Sequence, residues 1–135
     1  MKNFDGLKNN WMLLGAFFLF LAVAIGAFGA HGLTKLLDDK ALATFKTGVT
    51  YQFYHGFALL FLGLCHGFSE QTQGLGPHLK RAGISFSIGI ILFSFNCYFY
   101  ALTKIKFLAM VVPLGGLSFL IGWAFLIKCF YKKKA

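Results

Sequence analysis

The sequence predicts an all-α membrane protein, folded as an up-down four-helix transmembrane bundle, and three observations carry that prediction. Four apolar stretches account for most of the 135 residues, and each is near the length of about twenty residues that crosses ~30 Å of hydrocarbon. The composition is 58% hydrophobic and only 13% charged, with a mean hydropathy of +0.70. A water-soluble domain carries about a quarter charged residues to cover its surface. No apolar stretch contains an Asp or Glu, so the commonest machinery of coupled transport and intramembrane proton chemistry is missing.

The first span runs from about Trp11 to Ala30. Lys2 and Lys8 ahead of it, and the small residues Ala27 to Ala30 at its end, resemble a secretory signal peptide; the segment is read here as a retained helix. The second span covers about 51–68 and is preceded by an amphipathic extension. Asp38 or Asp39 is suited to N-cap that extension. Leu42, Phe45, Val49 and Phe53 recur at helical spacing, with Lys40, Lys46 and Thr47 elsewhere around the turn. Such a helix exceeds the hydrocarbon thickness, so its first turns project from the bilayer or bend along the interface, and Gly48 is the expected bend. The Gly/Pro/polar stretch 69–78 marks the next turn, and His78 there reads as a solvated loop residue. Span three covers about 82–102. Span four covers about 107–131, with Pro113 near enough to its start to be tolerated. The short connection from Thr103 to Lys106 makes spans three and four antiparallel neighbours. All of 1–135 is expected to form a single integral membrane domain.

Charge placement predicts orientation. With the N-terminus inside, Lys2, Lys8, Lys80, Arg81, Lys128, Lys132, Lys133 and Lys134 share one side, and Lys35, Lys40, Lys46, Lys104 and Lys106 the other. The excess of basic residues favours both termini in the cytoplasm. The net charge of +9 lies between and beyond the spans rather than along a face interleaved with aromatics, and no nucleic-acid-binding motif is present. Nucleic acid is therefore not an expected partner; the lipid bilayer is, and the tail lysines, read first as a topology signal, could also contact its anionic headgroups. Cys65, Cys97 and Cys129 are odd in number and lack metal-ligand spacing, which predicts buried, apolar-like thiols and no metal site.

In lipid, helices associate through close packing and hydrogen bonds. Each span supplies a seam of small residues: Ala22, Gly26 and Ala30; Gly63 and Gly67; Gly83 with Ser87 and Ser85 with Gly89; Gly115, Ser118 and Gly122. These seams either hold one subunit together or mediate a homo-oligomer or a contact with a membrane-protein partner.

The candidate functional residues are polar side chains expected near the outer ends of three spans. They are His31 on the first, Tyr51, Gln52, Tyr54 and His55 on the second, and Asn96, Tyr98 and Tyr100 on the third. Tyr51 and His55 share a helical face, as do Gln52 and His55. The plain reading is that interfacial Tyr and His side chains satisfy neighbouring backbone groups. The sharper reading is a ligand site built from His31, Tyr51, Gln52, His55 and Asn96. Two imidazoles, His31 and His55, would suit axial haem ligation if both faced one cavity. No catalytic constellation is recognisable: base, nucleophile and orienting group do not occur together. No cofactor is expected, with haem the minor alternative.

From Gly26-Ala-Phe-Gly-Ala-His-Gly-Leu33, through Phe45 and Tyr51-Gln-Phe-Tyr-His55, to Gly89-Ile-Ile-Leu-Phe-Ser94, Pro113-Leu-Gly-Gly116 and Gly122-Trp123, the chain resembles the family called domain of unknown function 423. That family also includes eukaryotic transmembrane protein 256. The resemblance implies a small multi-pass protein of the bacterial inner membrane and supplies no activity. It raises interest in His31, Gly32, Tyr51 and His55. Two functional readings follow. One is a non-enzymatic accessory, scaffold or assembly subunit. The other binds a small molecule, lipid, quinone, haem or metal, or acts as a minor transporter, through the His/Tyr/Gln cluster near the outer face.

Overall fold

Hydrocarbon offers no partner to a backbone amide, so each apolar stretch closes its own hydrogen bonds as a helix. The computed structural model describes residues 10–69 and 76–131. It contains α1 (Asn10–Leu33), α2 (Asp39–Ser69), α3 (Gly76–Thr103) and α4 (Lys106–Tyr131), and among the described residues no strand. The helices α1, α3 and α4 are each long and apolar enough to cross a membrane, by length and composition. The end lysines Lys2, Lys8, Lys132, Lys133 and Lys134, on which much of the orientation reading rests, lie outside the described residues, as do residues 70–75 of the turn after α2.

Asp38 caps α2 as expected: its carboxylate accepts the Ala41 N–H at 2.7 Å, satisfying one of the free donors of the first turn. The same carboxylate pairs with Lys104, whose backbone sits in the left-handed region at φ 58° in the turn between α3 and α4. That ion pair ties two turns at one end of the bundle. The Lys104 hydrogen bond, and then the Ala41 N–H, hold the exposed Asp38 carboxyl below its ordinary range.

The antiparallel register can be followed through the glycines. Gly15 faces Gly56 and Leu60, Gly63 faces Met12, and Gly29 faces Phe45, so α1 and α2 pair along their length. Gly89 faces Phe119, Gly122 faces Phe86, and Gly115 lies against Leu92 and Phe93, which pairs α3 with α4. Between these two pairs, α2 and α3 pack on each other at the centre. Near one end Gly48 approaches Ser94 and Tyr98. α1 also reaches α3 through Trp11 on Gly83 and Phe18 on Phe95. α2 and α4 meet through side chains, not through close backbone contact. The small-residue seams are thus spent largely inside the bundle, and large apolar side chains such as Phe20, Phe107, Met110 and Leu120 cover the outside.

Three expectations about local structure need correcting. α2 passes through Gly48 without a break. A Cβ there would lie 2.7 Å from the Tyr98 ring and 2.9 Å from the Ser94 carbonyl oxygen, so Gly48 permits close packing and is not a bend. Pro113 lies inside α4, about two turns from its start. It therefore leaves the Ala109 carbonyl without its usual helical donor. His78 belongs to the first turn of α3 and packs near Phe125. The structure also shows two π-helical segments: Gly29–Leu33 ends α1, and Ile90–Phe95 interrupts α3.

The register predicts where bulk is tolerated. A Cβ at Gly115 would lie 2.7 Å from the Leu92 carbonyl carbon, whereas one at Gly76 would meet nothing within 4 Å. Gly115→Val should destabilise the bundle by about 1–3 kcal/mol through overpacking, and Gly76→Ala should leave it unchanged. Thermal unfolding in detergent measures both.

Candidate functional site

Gln52, fully buried on the inward face of α2, bridges two helices. Its amide N–H donates to the Phe18 carbonyl of α1 at 2.8 Å, and its carbonyl accepts the Tyr98 hydroxyl of α3 at 2.6 Å. One turn on, His55 is 4% exposed and faces α4. Its Nε2 accepts the Trp123 indole N–H at 3.1 Å, and its Nδ1 bonds the Tyr51 carbonyl at 2.8 Å. Indole N–H is a donor only and a carbonyl an acceptor only, so the network assigns neutral imidazole with the proton on Nδ1. The ring stacks on Phe119, with centroids 3.5 Å apart and planes 7° from parallel. Both nitrogens are engaged, which leaves neither available as metal ligand or general base while the network is intact.

The cluster lies midway along the bundle. Tyr51 to His55, with Phe93 of α3 and Phe119 of α4 beside them, lie within about 6 Å of the midpoints of their helices at 1.5 Å per residue. The expectation measured span two from Tyr51, where strong hydropathy begins. α2 starts at Asp39, so these residues sit midway along the helix rather than at its end. The register of α1 on α2 sets His31 level with about residue 43, some 18 Å along the axis from His55. His31 is exposed in the π-helical end of α1, so the two imidazoles share no cavity. Asn96 also stands apart. Its amide donates to the Ile91 and Leu92 carbonyls at 3.3 and 3.0 Å, where the π-turn returns to α-helix and leaves acceptors to be satisfied. The Ser94 hydroxyl, fully buried in that turn, has no hydrogen-bond partner among the described residues.

Of the proposed residues, Tyr51, Gln52 and His55 come together, joined by Tyr98, Phe119 and Trp123. A groove of about 730 Å³ opens from this cluster between α2 and α4, within the range that holds a drug-sized ligand. Tyr51, Tyr54 and His55 line one wall, Pro113, Gly116, Leu117, Leu120 and Trp123 the other, with Phe93 and Phe119 at the base. Tyr51 and Tyr54 are 38% and 60% exposed, and neither hydroxyl has a hydrogen bond among the described residues. The threonines near them behave differently. Thr44, Thr47 and Thr50 each donate to the carbonyl one turn back, at 2.9 to 3.0 Å, so their exposed face suits lipid. A phenol is too long to do this. Among the described residues no group of three His, Cys, Asp or Glu side chains gathers to hold a metal.

The model of the family described as protein of unknown function (DUF423) matches residues 25–116. The chain belongs to the DUF423 family. Similar bacterial relatives are described as UPF0382 membrane proteins. One from Staphylococcus epidermidis is 41% identical over 87% of this chain and 91% of its own. One from Staphylococcus aureus is 41% identical over 90% and 95%, and YwdK of Bacillus subtilis 38% over 87% and 92%. No solved structure is a significant match to the chain. The DUF423 match contains Tyr51, Gln52, His55 and Tyr98; Trp123 lies beyond it.

In this DUF423 protein, Gln52→Leu leaves the Tyr98 hydroxyl buried without its acceptor, so it should lower stability by about 1–3 kcal/mol. Tyr98→Phe leaves the fully buried Gln52 carbonyl without its donor and should cost a comparable amount. Unfolding of both variants and their double mutant tests whether the two changes act on one bond.

Proposed function

We propose that this DUF423 protein is a non-enzymatic protein of the bacterial inner membrane, with both termini in the cytoplasm, whose lateral groove between α2 and α4 receives a lipid-soluble small molecule. One observation carries the reading: two tyrosines whose hydroxyls have no hydrogen-bond partner among the described residues line an open, mostly apolar groove midway along the helices. Interfacial tyrosines keep their hydroxyls in the headgroup region. In the proposed placement these two sit in hydrocarbon, where an unsatisfied polar group costs several kcal/mol. A ligand entering sideways from the bilayer would satisfy them. The Lys/Arg excess supports the orientation, and the bacterial relatives named as membrane proteins support the compartment.

An accessory or assembly role through small-residue faces has less to rest on, because Gly15, Gly63, Gly89, Gly115 and Gly122 face helices of the same chain. Haem ligation by His31 and His55 has no geometric support.

Gly116 supplies the test. It lines the groove, and a Cβ there would meet only the Phe93 ring at 3.8 Å. Gly116→Leu should therefore fill the groove while the bundle stays folded. Protein purified in mild detergent is extracted with organic solvent, and the extract analysed by mass spectrometry. A small molecule present with the parent protein and depleted in Gly116→Leu is expected. Identical extracts from two equally folded proteins would contradict the proposal.

A further inference from the structure

We infer that the groove selects a neutral, flat, ring-bearing molecule with carbonyl-type acceptor oxygens, the chemistry of a quinone; this rests on the groove being a ligand site at all. Depth is the first selector. An amphiphile with a charged headgroup must keep that group at the interface, so only its acyl chain would reach mid-depth, and the Tyr51 and Tyr54 hydroxyls would stay unpartnered. Charge is the second. The lining residues carry no ionic side chain, so an ionised ligand would sit in hydrocarbon without a counter-charge.

Hydrogen-bonding capacity is the third selector. His55 and Trp123 are committed to each other, which leaves the two phenols as the free polar groups of the groove side chains. Phenolic O–H donates to a carbonyl oxygen. Tyr51 and Tyr54 lie on one helix with ring centroids 6.0 Å apart, so both can address oxygens of a single ring system. Shape is the fourth. The base of the groove is made of rings: His55 stacked on Phe119, and Phe93 packed at 4.6 Å from Tyr51. Flat faces favour a flat ligand by offset stacking. Leu117, Leu120 and Trp123 continue the groove along α4 and would accompany an apolar tail.

The test compares two probes of similar shape, menadione and 2-methylnaphthalene, which differ in the two carbonyl oxygens. Each is partitioned between nanodiscs holding the full chain and empty nanodiscs of the same lipid, and saturable binding is measured. Menadione is expected to bind the parent protein saturably, and about tenfold more weakly once Tyr51→Phe and Tyr54→Phe remove the donors, the scale of one lost hydrogen bond. The hydrocarbon should bind more weakly and should not respond to those changes, which also reports that the groove is intact in the variants. Equal binding of both probes to parent and double variant would overturn acceptor recognition while leaving the groove as a site. Absence of saturable binding by either probe, with no effect of Gly116→Leu, would overturn the groove reading and this inference with it.

Discussion

Hydrogen bonds from α2 to each of the other three helices hold this bundle at its middle. Gln52 reaches α1 through the Phe18 carbonyl and α3 through the Tyr98 hydroxyl; His55 reaches α4 through the Trp123 indole. Burial from water adds nothing between helices already in lipid, so such bonds and close backbone contact must supply the specificity. The glycines provide the contact, and the two polar side chains fix the rotation of α2 about its axis. A small rotation would carry Gln52 away from both partners at once. α2 carries this inward polarity together with an exposed face of lysines, threonines and tyrosines, and so falls short of the apolarity that the other three helices reach.

The groove is a consequence of the same arrangement. α4 packs its backbone on α3, where Gly115 lets it approach Leu92 and Phe93. Toward α2 it is held off by aromatic bulk, Phe119 and Trp123 against His55. Close approach on one side and a ring-width separation on the other leave a cleft open to lipid. Within it the tyrosines are the exception on a face where every threonine hydroxyl is internally satisfied. Both features, the cleft and the unpaired phenols, follow from choosing rings where small residues would have closed the interface.

Much of the fold was legible because membrane helices obey few rules. Apolar length gave four helices, Asp38 announced the start of α2, and the small residues marked the faces that pack. The shared helical face of Tyr51, Gln52 and His55 was also readable from spacing. Position along the bundle was not. Hydropathy located the apolar part of α2 and set the cluster at its start, whereas the amphipathic turns from Asp39 continue the same helix and leave the cluster midway along it. His31 was thereby brought level with residues it does not approach. Asn96 has polar chemistry that serves a π-turn, and π-turns at Gly29–Leu33 and Ile90–Phe95 carry no periodic signal in a uniformly apolar run. Trp123, Phe119 and the Tyr98 bond depend on how α3 and α4 rotate against α2, which no single helix encodes.

The account stands on the mid-depth position of the cluster and the lateral opening beside it. Trp123 lies in that opening and Trp11 near the start of α1, so a Trp11→Phe protein reports from one place. Its fluorescence in bilayers of phosphatidylcholine brominated at different depths along the acyl chain measures that place directly. Strongest quenching by bromines toward the chain ends is the predicted result. Strongest quenching by bromines next to the headgroup, or none at any depth, would put Trp123 at the interface or out of reach of lipid and contradict the account.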